Sequence, residues 1–133
     1  MELFPVLHGL WLFYLVRADH HTALRFAERL LEIALSMQDR GLLVESHFAL
    51  GETLLLMGRL VPAEVHLKQA VEIYDFAQHG GHAAIYGQDP AVFSLGCLGL
   101  TLWLSGKREK ASRVTDQGLS LAHKMNHRNS VVW

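Results

Sequence analysis

A single cysteine, Cys97, leaves the chain unable to close an internal disulfide, so a reducing cytoplasm is the expected compartment. Proline is scarce, three residues in all, and Pro5, Pro62 and Pro90 each fall where a helix is expected to open. Charge of neither sign dominates. Twelve Lys and Arg stand against 13 Asp and Glu, for a formal net charge of −1. That balance argues against bulk attraction to nucleic acid or to an anionic membrane. The apolar run at residues 3–16 is only 14 residues long, contains His8 and is followed by Arg17. A bilayer span needs roughly 20 residues. The run therefore reads as a buried helix, and no membrane partner is expected. Met1-Glu2 lacks the positive segment of a signal peptide. The phosphate loop GxxxxGK[ST] is missing too. No cofactor and no enzymatic activity are expected.

What is present is helical periodicity. Half of the residues are hydrophobic, enough in 133 residues for one domain with a real core. Ala23, Phe26, Ala27, Leu30, Leu31 and Ala34 recur at three and four, the spacing of one helix face. Gly58 and Gly106 end apolar segments as helix C-caps do. Pro62 opens the next helix after the first, and Asp89-Pro90 reads as an N-cap with proline at the first helical position. Helices are expected near 3–17, 21–37, 41–57, 60–77, 90–105 and 108–125. Short polar connectors are expected at 38–41 and 126–129, and an irregular loop at 78–89, where Gly80-Gly81 and Gly87 break regular structure. Residues 130–133 read as the first turn of a further element. No segment reads clearly as a strand.

The chain repeats itself. Leu50-Gly51, Gly58 and Ala63 recur as Leu98-Gly99, Gly106 and Ala111, each 48 residues later (51 to 99, 58 to 106, 63 to 111). Leu10, Trp11, Ala18 and Ala23 form a weaker first copy at an offset of 40 (23 to 63). A glycine on the first helix of a pair lets the second approach, the next glycine ends the first helix, and the alanine seats the second. Such units, stacked, make an all-α solenoid.

The spacing Leu-Gly, seven residues to Gly, five to Ala and seven to Ala resembles the tetratricopeptide repeat. The middle unit fits at Leu50, Gly51, Gly58, Ala63 and Ala70. The last unit carries Gly118 for the final alanine, and the first carries Trp11 and Ala18 for the two glycines. The stretches LWLFYLVRADHHTAL, SHFALGETLLLMGRLVPAEVHLKQAVEIYD and YGQDPAVFSLGCLGLTLWLSGKREKA are similar to one bacterial family. It is the C-terminal tetratricopeptide region of multidomain regulators with a signalling ATPase, often beside an adenylate/guanylate cyclase or a LuxR-type DNA-binding domain. The resemblance implies a right-handed solenoid of three helix pairs, units 3–38, 41–77 and 90–125, with the start of a truncated repeat at 129–133. It implies a sensing or scaffolding part of a signalling protein, not an enzyme.

In such arrays the first helix of each pair lines the concave side. That places His8, Leu12 and Leu15 from the first unit, Glu45, Phe48, Glu52 and Leu55 from the second, and Phe93, Leu100 and Trp103 from the third in one groove. The groove is mainly apolar with two acidic residues, which suits an amphipathic helix or apolar peptide. The occupant is a protein or peptide partner, or another copy of the chain in a homodimer joined by the apolar ends or the groove, or else these residues pack against further repeats. A small-molecule sensor, with groove and loop enclosing a ligand, is a further alternative. The remaining candidates have plainer readings. His79-Gly80-Gly81-His82 offers two imidazoles for a metal but no third ligand, and a plain loop accounts for it. His47 and His66 fit hydrogen-bonded helix residues better than ligands. Cys97, between Gly96 and Gly99, fits a small core residue. Lys107, Arg108, Lys110 and Arg113 form a basic patch without interleaved aromatics, as a solvated helix does.

Overall fold

The computed structural model describes residues 3–74 and 90–130, with 125–130 as backbone only. Among these residues every regular element is a helix: α1 (Leu3–Val16), α2 (His20–Met37), α3 (Arg40–Leu56), α4 (Leu60–Ile73), α5 (Pro90–Leu104) and α6 (Arg108–Ser130). Helices adjacent in the chain pack together, and α3 also meets α5. This is an all-α helical repeat. The expected loop 78–89, the pair His79 and His82, the cap Asp89 and the segment 131–133 lie outside the described residues.

The repeat is written in the backbone of the turns. In the α1–α2 turn, the Ala18 N–H donates to Leu15 O and the Asp19 N–H to Tyr14 O. Forty residues on, the Gly58 N–H donates to Leu55 O and the Arg59 N–H to Leu54 O. Forty-eight residues further, Gly106 donates to Trp103 O and Lys107 to Leu102 O. Each is a Schellman closure, which needs a left-handed residue at its centre. Ala18, Gly58 and Gly106 adopt φ of 62°, 79° and 81°. Ala18 thus does the work of a glycine.

The same register explains Trp11. A Cβ on Gly51 would lie 2.5 Å from Leu67 Cγ, and one on Gly99 would lie 2.5 Å from Thr115 Oγ1. The second helix of each pair therefore presses onto a bare backbone. In the first unit the counterpart of Gly51 is Trp11, and the counterpart of Leu67 is Ala27 (67 to 27, as 51 to 11). Both Trp11 and Ala27 are fully buried. The large residue stands on the first helix here and on the second in the middle unit, so the pairing of large with small is kept with the roles exchanged. Gly118 has a packing reason as well, since a Cβ there would come within 3.2 Å of Leu95 Cβ.

Three boundaries differ from expectation, and the first is the end of α4, which stops at Ile73 instead of 77 because Tyr74 turns to an extended ψ of 132°. The 38–41 connector shrinks to Gln38 and Asp39, because Gln38 takes a left-handed φ of 52° and the Asp39 carboxylate accepts from Leu42 N–H at 3.0 Å, capping α3. Asp19 caps α2 in the same way through Thr22. At the other end, α6 continues through 126–129 to Ser130, where no glycine or proline stops it.

Candidate interaction surfaces

The first helices α1, α3 and α5 carry few charges. Leu3–Val16 and Pro90–Leu104 contain no Asp, Glu, Lys or Arg at all. A helix apolar on every side is normally buried. That condition is met on α3, where nearly all residues from Gly41 to Leu55 are buried. It is met on only part of α1 and α5.

The expected groove is largely closed. Glu45 and Phe48 are fully buried, His8, Leu15 and Leu55 are buried, and Leu12 and Glu52 are half-buried. These residues form the seam between units, not an open concave wall. The cause is close approach of the first helices. The Trp11 indole N–H donates to Thr53 Oγ1 at 2.8 Å, and its ring meets Phe48 edge-on at 6.0 Å. His8 Nε2 lies 3.4 Å from Glu45 Oε2 across the same seam, and Phe48 meets Phe93 at 6.4 Å. Of the residues expected to line the groove, Phe93, Leu100 and Trp103 on α5 stay open, at 46, 51 and 54 % exposure.

Burial follows register. Positions 8, 12 and 15 of α1 correspond to 48, 52 and 55 of α3 and to 96, 100 and 103 of α5. They are covered wholly or in part on α1 and α3, which have a following unit, and exposed on α5, which has none among the described residues. A second set behaves in the opposite sense. Ser46, Leu50 and Thr53 on α3, which packs on α2, and Ser94, Leu98 and Thr101 on α5, which packs on α3 and α4, are buried. Their counterparts on α1, Val6, Leu10 and Phe13, are 58, 38 and 48 % exposed. Among the described residues, α1 and α5 thus each leave an apolar face uncovered, and the two faces differ. The α1 face was not anticipated from sequence, although its charge-free composition signals it.

Burial perturbs two polar groups near the seam. Burial raises the Glu52 carboxyl above the usual carboxylate range, against the opposing effect of His8. Its Oε2 is buried without a hydrogen-bond partner among the described residues. Burial, and then the Glu52 charge, push the Cys97 thiol up to about 12, which leaves it an unreactive thiol. On the other side of α3, His47 Nδ1 and His66 Nδ1 lie 3.0 Å apart with the rings stacked. Burial and the neighbouring His66 lower His47 to about 4, and burial lowers His66. One ring donates to the other, and both are neutral near neutral pH. No group of three or more metal-ligating side chains occurs among the described residues.

The basic patch is partly engaged. Lys107 Nζ reaches Glu64 at 3.1 Å, and the Arg108 guanidinium lies over the Trp103 ring at 5.0 Å. A cleft of about 550 Å³ runs between the end of α4, α5 and α6, lined by Val71, Tyr74, Leu95, Arg113 and Gln117 among others. No described helix is long and apolar enough to cross a membrane. No protein-family model, curated protein or solved structure matches the chain.

Proposed function

We propose that this chain is a non-enzymatic protein–protein interaction module of the tetratricopeptide kind, which receives a helix on its open α5–α6 end. The observation that carries this reading is the exposed stripe Leu100 and Trp103, continued by Phe93, on a helix with no charged residue. At the equivalent positions α3 has Glu52 and Leu55, which lie near Cys97 of α5. A ligand helix would occupy the place of a following first helix, with apolar side chains at i, i+3 or i+4 and i+7 seated on the stripe. The bacterial signalling context and a sensing or regulatory role rest on the sequence resemblance alone, and a cytoplasmic location on the single cysteine.

A displayed library of amphipathic helical peptides tests the reading. Selected peptides are expected to bind the native chain and to lose at least tenfold in affinity against Leu100→Glu and Trp103→Glu, with the helical circular-dichroism signal unchanged. Selected peptides that bind both variants as well as the native chain, or an empty selection, would overturn it.

A further inference from the structure

We infer that two copies of this chain join head to tail, with the α1 face of one copy seated on the α5–α6 end of the other. The inference rests on the reading of that end as a helix-binding surface, and it names the occupant as a second copy.

The internal seams show what such a joint requires. Across the first seam Trp11 meets Phe48 and donates to Thr53 while His8 meets Glu45, and across the second Phe48 meets Phe93. Thr53 stands in register with Ser46 and Leu50 on the following helix, and His8 with Leu12 and Leu15 on the preceding one. Both halves are exposed among the described residues. Val6, Leu10 and Phe13 stand on α1 in the first set, and Gly96, Leu100 and Trp103 stand on α5 in the second. The second helices agree. Leu31 on α2 and Val71 on α4 are half-buried, whereas Leu119, their counterpart on α6 (31 to 71 to 119), is 56 % exposed.

The two faces differ in composition and are complementary in register, so the joint is heterologous. One face of each copy stays free after the first pairing, and association continues to longer assemblies unless the rotation closes a ring. The flanking cations, Arg17 over Phe13 and Arg108 over Trp103, are drawn onto the aromatic faces they border.

Sedimentation of the full chain over rising concentration, with two variants, decides the matter. The native chain is expected to grow past the dimer with concentration. Leu10→Glu blocks the α1 face and Trp103→Glu blocks the opposite end, so each alone is expected to be monomeric. Their equimolar mixture is expected to give one capped heterodimer, because each variant keeps the half that the other lacks. Val6→Lys and Leu119→Lys serve as replacements if circular dichroism shows either first variant to be unfolded. A native chain that stays monomeric at millimolar concentration overturns the inference. So does a dimer that survives Trp103→Glu but not Leu10→Glu, which would pair α1 with α1, or a mixture that stays monomeric. The Leu10→Glu chain retains an intact α5–α6 end. Its binding of a selected helical peptide is therefore read separately, and failure of self-association is distinct from failure of helix recognition.

Discussion

Gly51 and Leu67 meet so closely that a single methyl on Gly51 would lie 2.5 Å from Leu67 Cγ. Leu67 is fully buried, so it has little room to yield. Gly51→Ala is expected to cost about 1 kcal/mol net. Overpacking of roughly 1–3 kcal/mol outweighs a helix-propensity gain of up to about 1 kcal/mol. Leu67→Ala alone should cost about 2–5 kcal/mol. The double variant should be less destabilised than the sum of the two, by about 0.5–3 kcal/mol, because the alanine methyl fills part of the space Leu67 leaves. Urea unfolding of the four proteins measures the coupling. Additive costs would show that the two side chains do not share one site.

The Trp11–Thr53 hydrogen bond is the polar pin of the first seam. Thr53 also donates to Ala49 O at 2.7 Å. Replacing Thr53 by Val keeps the shape and leaves the buried indole N–H without an acceptor, at a cost of about 1–3 kcal/mol. In a Trp11→Phe background the same replacement should cost much less, since no indole N–H remains. Equal costs in the two backgrounds would mean that the hydrogen bond contributes nothing.

Ala18 holds a left-handed backbone that its two counterparts fill with glycine. A left-handed conformation costs a residue with a Cβ roughly 1–2 kcal/mol, and glycine in the unfolded chain gives part of that back. Ala18→Gly should therefore raise stability by about 0.5–1 kcal/mol. A lowered urea midpoint would contradict the φ of 62°.

His47 and His66 make stability fall in acid. Both are harder to protonate in the fold than in the unfolded chain, where the ordinary value is 6.5. The unfolded state therefore takes up more protons as pH drops through 6.5 toward 4. Stability is intact above this window and declines within it. Replacing both residues by Gln should flatten the pH dependence of the urea midpoint between those limits. An unchanged slope would place the acid sensitivity elsewhere.

The seam and the open end respond differently to the same substitution. Phe48→Glu puts a carboxylate into a fully buried site and should abolish the cooperative thermal transition. Trp103→Glu, on a half-exposed residue, should move stability by no more than about 0.5 kcal/mol. Similar melting curves for both would show that Phe48 is not core.

All six helices were legible from sequence, because their signals are local. Ala23, Ala27, Leu30 and Ala34 form one 3.6-residue stripe, and all four are buried. Gly58 and Gly106 mark positive φ, and the offsets of 40 and 48 reappear in the turn hydrogen bonds. The carboxylate caps Asp19 and Asp39 were missed although their positions before α2 and α3 fit the N-cap pattern. The groove was legible only in part. Helices α1 and α5 carry no charged residue, and α3 buries polar residues such as Glu45 and Thr53 among its apolar ones, so periodicity does not say which side meets which neighbour.

The amino-acid sequence by itself determined where this chain is helical, where it turns and which residues are equivalent among its units. Those properties depend on side-chain spacing and on backbone conformations that glycine favours within a few residues. Only the tertiary structure decided that Glu45 and Phe48 are core while Phe93, Leu100 and Trp103 are surface. It also decided that His47 meets His66, and that Val6, Leu10 and Phe13 are open. These outcomes depend on which helix lies beside which, and a helix without one distinct apolar face does not encode that choice in its own residues.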